Sequence, residues 1–303
     1  MSWDLILRRR QGSPQLTLAE VDELFAGIPH IERHPSAPDA VTYHYENPDT
    51  VVYLTFDYGR EGDDESGGCP GEPVLAFNIN LARPTFFALE AMPVVTEVAR
   101  HLELDTADPQ EEESSQQPST DDLINRWIRG NEWAIRSALS SGQVRIGEGE
   151  FVRAYASRER LDYWWHWTRN RATIAQALAG DDVFVPTRIF LMAPKMDTDA
   201  VMASAWPIFI PTVFPEVDHI LLGLAARGFL GLTSKSVKGL VPFAQVRAIL
   251  GSDLEQVEQP VRHYLYRRHP PRPEVTTSTG ALELLPLKQY QALSPDSIVD
   301  VKV

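Results

Sequence analysis

Apolar and polar residues alternate cleanly from Val41 to Glu46, with Val41, Tyr43 and Tyr45 on one side and Thr42, His44 and Glu46 on the other. That period of two predicts a half-buried strand. Asn47-Pro48-Asp49-Thr50 is a turn sequence and Val51 to Tyr58 resumes the pattern, so the pair predicts a β-hairpin. Trp3, Leu5 and Leu7 predict an opening strand over Ser2 to Arg8. Leu75, Phe77, Ile79 and Leu81 predict another over Val74 to Leu81. Between them, Thr17-Leu-Ala-Glu20 matches a capping box, followed by Leu18, Val21, Leu24 and Phe25 at helical spacing. Pro29 and Pro35 predict an irregular loop after that helix. Pro93 suits the first turn of a second helix whose Val95, Val98, Ala99 and Leu102 share a face, with a short strand over His101 to Asp105.

The order strand, helix, three strands, helix and strand predicts an α+β domain over residues 1–104, built as a two-layer sandwich. It resembles a ferredoxin-like split βαβ arrangement with an extra strand, a similarity that carries no function. The pattern then stops. Asp105 to Thr120 holds no apolar residue larger than Ala107, so it buries too little to offset its ordering entropy and reads as an acidic flexible connector. From residue 121 to 303 a second α+β domain with long Trp-rich helices is expected. Ser119 and Thr120 cap a helix to about Leu139 striped by Ile124, Trp127, Ile135 and Leu139. Ser157 caps another, to about Ala179, carrying Trp164, Trp165 and Trp167. Strands are expected over Val183–Ala193, Ile208–Val213, His219–Leu224, Val261–Arg267 and Ile298–Val303. Helices are expected from Pro242 to Leu250 and over Leu287–Leu293.

Charge divides the chain more sharply than hydropathy does. Residues 1–120 hold 7 Lys/Arg against 22 Asp/Glu, a balance of -15, and residues 121–303 hold 21 against 20, a balance of +1. A field of that sign repels phosphate backbones and steers basic partners, which argues against nucleic acid and for a basic protein partner. No stretch reaches the roughly 20 uninterrupted apolar residues of a membrane helix. Trp206 to Leu232 comes nearest and is broken by three prolines and by Asp218, His219 and Arg227. The Met1 segment lacks the layout of a signal peptide, because Leu5-Ile6-Leu7 runs into Arg8-Arg9-Arg10. With Cys69 as the single cysteine, a reducing, cytoplasmic setting is expected.

Several groupings have residue types suited to chemistry. Glu61, Asp63, Asp64 and Glu65 form an acidic loop suited to meeting cations, but without the spacing of a calcium loop. Cys69 follows that loop, where carboxylates disfavour a thiolate. His30 and His34 have the four-residue spacing of zinc ligands on a helix, yet flanking prolines and the lack of a third ligand favour loop histidines. Glu216, Asp218 and His219 cluster at the mouth of a predicted strand, the placement of an acid–base pair in a hydrolase-like enzyme. Neighbours in a strand face opposite ways, however, so Asp218 and His219 do not face each other. Trp164-Trp165-His166-Trp167 with Arg169 or Arg171 suits a planar anion, although aromatics at that spacing usually form core. Arg262, Arg267, Arg268 and Arg272 with His263 and His269 form the basic cluster.

The sequence contains no phosphate-binding loop, dinucleotide fingerprint, nucleophile elbow or paired-cysteine motif, so neither a cofactor nor a metal is implied. The expectation is a non-catalytic, cytoplasmic protein-binding chain, in its most concrete form an immunity- or antitoxin-type inhibitor of a basic partner. The alternative is a small-molecule enzyme using Glu216, Asp218 and His219. Oligomeric state is not fixed by the sequence.

Overall fold

The computed structural model describes residues 1–303 except 11, 38–39, 61–70, 110–116, 141–144, 147–151, 196, 198, 228–233 and 302–303. It is a mixed α+β protein that divides into two compact units, Met1–Val144 and Arg145–Lys302.

In the first unit β1 (Ser2–Arg9), α1 (Leu18–Phe25), β2 (Ile31–Ala37), β3 (Ala40–Glu46), β4 (Tyr53–Arg60), β5 (Pro73–Asn80), α2 (Phe86–His101), β6 (Leu104–Ala107) and α3 (Thr120–Ser140) follow in order. The six strands form one antiparallel sheet in the order β2-β3-β4-β5-β1-β6. Alternation decides its two faces. Trp3, Leu5, Leu7, Tyr43, Leu54, Phe56, Phe77 and Ile79 are buried, and their neighbours in sequence point the other way. Phe25 of α1 packs on Tyr43 and Phe56 at ring separations of 4.4 and 5.0 Å, which fixes the buried face as the helix side.

The capping box at α1 forms as its sequence predicts: Glu20 N–H donates to Thr17 Oγ1 and Thr17 N–H to Glu20 Oε2, at 3.3 and 2.9 Å. Around α2 the structure departs from the pattern. The helix begins at Phe86, a full two turns before Pro93, because Phe86, Phe87, Ala88, Ala91 and Met92 all bury. Tertiary burial outweighs the helix-breaking tendency of an internal proline. Pro29 to Pro35 is not a loop throughout, since β2 runs through Pro35. It lies at the edge of the sheet, where a missing N–H is tolerated.

The expected connector also contains structure. Asp105, Thr106 and Ala107 belong to β6, which pairs with β1, and Trp3 Nε1 donates to the buried Asp108 carboxylate at 3.1 Å. Helix α3 lies within the first unit instead of opening the second. Its Leu123, Trp127, Ala134, Ile135 and Ala138 are buried. Asn131, 1% exposed, exchanges two hydrogen bonds with the Arg83 backbone. The division by contacts therefore falls after residue 144, not across 105–120. Hydropathy shows a polar gap but not which neighbour a helix beyond it will cover.

The second unit runs β7 (Arg145–Ile146), β8 (Val152–Tyr155), α4 (Arg158–Ala177), β9 (Phe190–Pro194), β10 (Val201–Ala205), β11 (Thr212–Pro215), β12 (His219–Arg227), β13 (Ser234–Pro242), α5 (Phe243–Leu250), β14 (Leu254–Val257), β15 (His263–Tyr266), α6 (Pro273–Gly280), β16 (Leu285–Pro286), β17 (Tyr290–Ala292) and β18 (Ile298–Val299). Its main sheet has the order β16-β13-β12-β10-β9-β17, and β11-β15-β14 and β18-β8-β7 form two smaller sheets. On α4, Leu161, Trp164, Trp165, Trp167 and Ile174 are buried, so the tryptophan run is core. Trp164 Nε1 donates to Ile189 O at 3.1 Å. The strand expected over 183–193 forms only from Phe190, that over 208–213 shifts to 212–215, and 287–293 is a tight turn followed by β17. Strands β10, β13 and β14 and helix α6 lack a clean sequence period. At Gly239 an added Cβ would lie 2.6 Å from Leu284 Cβ and 2.8 Å from the β16 backbone at Leu285 O, so a side chain is excluded there.

Candidate functional site

Among the described residues, two regions hold the candidate residues that the sequence singles out. The first is a cavity of about 490 Å³ in the second unit, lined by residues of the α4 N-terminus (Ser157, Glu159, Arg160, Tyr163), by Met202 of β10, by Glu216, Val217 and Asp218 before β12, and by Arg262. The turn before β12 brings Glu216 and Asp218 to it, as their placement at a strand mouth predicts. Asp218 sits in a bend before the first residue of β12, so strand alternation does not relate it to His219, which is not among the residues lining the cavity; the His219 ring lies 6.2 Å from that of Tyr290 on β17.

The hydrogen bonds show what this cavity has available. Asp218 Oδ2 accepts from Met202 N–H at 2.7 Å and is ion-paired with Arg160, while its own backbone bonds to Met202 and Phe243. Tyr163 Oη donates to Arg262 O at 2.8 Å and accepts from Glu216 N–H at 2.6 Å. Arg262 in turn meets Glu216 and Glu258 at 3.3 and 3.4 Å. Every candidate acid is thus tied to a cation or a backbone donor of its own unit. Burial, then the nearby Arg160, holds the His219 imidazole below its ordinary pKa, and its Nδ1 has no hydrogen-bond partner among the described residues. Arg160 and Tyr163 were missed by sequence reasoning, which looked to Arg169 and Arg171 further along α4. Arg169 lies over the Trp165 ring at 4.7 Å, and Arg171 donates to Thr187 O. The available signal was an Arg and a Tyr three apart in the first turns of the helix.

The basic cluster resolves into internal ion pairs. Arg267 pairs with Asp181 and approaches Glu255 at 4.0 Å, and Arg268 and Arg272 meet Asp253 at 3.5 and 2.7 Å. His263 is buried with its Nδ1 2.8 Å from Val261 O, and His269 lies against Phe209 O.

The second region is the face of the first unit's sheet opposite its helices. Strand register lines up Ser2, Asn80, Tyr53 and Glu46 in one row, Asp4, Asn78, Thr55, His44 and Glu32 in the next, and Ile6, Ala76, Asp57, Thr42 and His34 in a third. Asn78 Nδ2 donates to Asp4 Oδ1 at 2.5 Å, Thr42 Oγ1 to Asp57 Oδ1 at 2.6 Å, and Arg83 to the Tyr53 hydroxyl at 2.6 Å. His34 is on this face beside His44, with ring centroids 6.4 Å apart, while His30 stands outside β2 at a positive φ of 66°. The two histidines of zinc-like spacing are therefore not brought together, and no group of three metal-ligating side chains occurs among the described residues. Glu61, Asp63, Asp64, Glu65 and Cys69 lie outside the described residues.

Comparison with family models, with curated proteins and with solved structures finds no match. Among the described residues no helix is long and apolar enough to cross a membrane.

Proposed function

We propose that this chain is a non-catalytic protein-binding protein whose acidic first unit engages a basic protein, in its most specific form by masking a basic enzyme as immunity proteins and antitoxins do. The observation that carries this reading is how charge divides between the units. Residues 1–144 hold 10 Lys/Arg and 25 Asp/Glu, a balance of -15, and residues 145–303 hold 18 and 17. The excess acidity thus lies within the sequence of the first unit, and a field of that sign steers cationic partners. A cytoplasmic setting agrees with the single cysteine. The first unit's strand order, with β1 between β5 and β6 and helices after β1 and β5, supports a ferredoxin-like core extended by a second hairpin.

The test is affinity purification from the source cell followed by a salt titration of the reconstituted complex. A basic protein that copurifies and whose dissociation constant rises steeply with salt supports the reading. A copurifying metabolite with no protein would overturn it.

The second reading, a small-molecule enzyme, has the cavity over Glu216 and Asp218 in its favour. In that case His219→Ala would abolish turnover while leaving the fold intact, whereas the arrangement of His219 leads us to expect a structural effect alone.

A further inference from the structure

The three-stranded sheet β11-β15-β14 of the second unit is covered unevenly. Helix α5 is anchored on it by its first residue, since the Phe243 ring lies 5.7 Å from Phe214 of β11 and 5.5 Å from Tyr264 of β15. Beyond that anchor, Ala244, Ala248 and Gly251 recur at the spacing of one helix face and form one wall of a groove. Leu254 and Gln256 of β14 form the other wall, and Tyr264, 5% exposed, borders the space between. Small residues on the helix side leave a cavity of about 430 Å³. β14 pairs with β15 and has no partner on its other edge among the described residues. Such an edge offers backbone N–H and C=O groups to an added strand. Arg247 of α5 also lines the groove. Its guanidinium lies 4.5 Å from the Tyr264 ring and 6.0 Å from that of Phe243, and makes no hydrogen bond or ion pair among the described residues. The carboxylates of the β14 segment, in contrast, are engaged: Glu255 with Arg267 at 4.0 Å, Glu258 with Arg262 at 3.4 Å, and Asp253 with Arg268 and Arg272 at 3.5 and 2.7 Å. What separates Arg247 from another exposed arginine such as Arg188 is the concavity and the strand edge beside it.

We infer that this groove binds an extended acidic peptide segment of a partner protein, which adds a strand to β14 and sets a carboxylate against Arg247. Pairing with an edge strand supplies affinity through the main chain, and the space beside it selects side chains. An extended segment turns every second side chain to the α5 face, where a wall of alanine and glycine leaves room. A guanidinium held against two rings loses little freedom when a carboxylate arrives, and the two can meet in a charge-assisted pair. A small anion would use Arg247 but not the strand edge, and a basic segment would meet Arg247 with like charge. The site lies in the second unit and does not depend on the partner proposed for the first.

The test uses the full chain and three fluorescein-labelled peptides, followed by fluorescence polarisation. One alternates valine and glutamate, one alternates valine and glutamine, and the third is the glutamate peptide with its backbone N-methylated at alternate residues. The net charge of -14 on the chain opposes the glutamate peptide, so its binding cannot come from the overall field. The glutamate peptide should bind the wild type, and the other two ~10-fold more weakly. Arg247→Gln should weaken binding ~10-fold through loss of one charge-assisted pair. Ala248→Leu, which fills the groove from an exposed helix position, should weaken it about fivefold. Arg188→Gln, at an exposed arginine that does not line the groove, should stay within about twofold of the wild type. Absence of binding by the glutamate peptide, equal losses from Arg247→Gln and Arg188→Gln, or undiminished binding of the N-methylated peptide would each overturn the inference. A preference for a duplex oligonucleotide over the peptide would do the same. Should Arg247→Gln not fold, Ala248→Leu serves alone, and no loss there overturns the site.

Discussion

The two units handle charge in opposite ways. In the second, nearly equal numbers of cations and anions settle into pairs: Arg160 with Asp218, Arg262 with Glu216 and Glu258, Arg267 with Asp181, Arg272 with Asp253. In the first, carboxylates outnumber cations so far that pairing cannot be complete: Asp4 and Asp57 on the sheet, Glu23 on α1 and Asp121 on α3 have no ion-pair partner among the described residues. A residue cluster that looks chemically rich in sequence can thus be spent internally. Counting charges does not separate these cases. Asking which charges already have partners does.

The comparison breaks most visibly at the unit boundary. If α3 belongs to the first unit, residues 1–144 expressed alone should unfold in one cooperative transition, and residues 1–104 should give no folded protein. Trp127→Ala, which empties the site of a fully buried indole, should cost about 3–5 kcal/mol in urea unfolding. An independently stable 1–104 fragment would restore the connector as the boundary.

A smaller effect tests the buried carboxylate of the first unit. Glu90 Oε1 accepts from the Tyr45 hydroxyl, Asn47 Nδ2 and Thr50 Oγ1 at 2.9, 2.7 and 2.8 Å, tying the β3–β4 turn to α2. Glu90→Ala leaves those donors without their acceptor and should cost about 3 kcal/mol, with Glu90→Gln recovering part of it. A neutral outcome for Glu90→Ala would show that the turn is held by its backbone alone.

The second unit supplies a pH-dependent prediction. Burial, followed by the nearby Asp300 carboxylate and opposed by Arg158, pushes Asp162 up to about 6. The sign follows from the folded state holding the proton more tightly than the unfolded chain. Stability is greatest below the ordinary carboxylate range and falls as pH rises towards and through about 6. Because the group is partly open to solvent, the loss should be roughly 1 kcal/mol after screening. Asp162→Asn should remove that slope, measured as the difference in unfolding free energy between pH 4.5 and 7. An unchanged slope would assign it to another group. The smallest effect is expected at Arg267→Ala. It removes a half-exposed ion pair and should change stability by less than about 1 kcal/mol in urea unfolding.

Local chemistry was legible wherever the signal lay within a few residues. The capping box at Thr17 and Glu20 and the hairpin over residues 41–58 both follow from spacing. What sequence reading missed depended on distant partners. Helix α2 overrides Pro93 because the sheet gives Phe86 and Phe87 a place to bury. β2 accepts Pro35 because it is an edge strand. Arg160 reaches Asp218 across 58 positions of sequence. Of the candidate cavity, sequence supplied Glu216 and Asp218 but not the cations that neutralise them.

The sequence by itself determined an α+β chain, the period-two strands of the first sheet, the tryptophans of α4 as core, and the -15 to +1 division of charge. Those properties belong to single residues or to neighbours, so they survive without a fold. Tertiary structure alone decided that α3 completes the first unit and that the basic cluster is already neutralised. It also decided which carboxylates remain unpaired. Pairing is a matter of distances a few ångströms long, and only folding sets those distances between residues far apart in the chain.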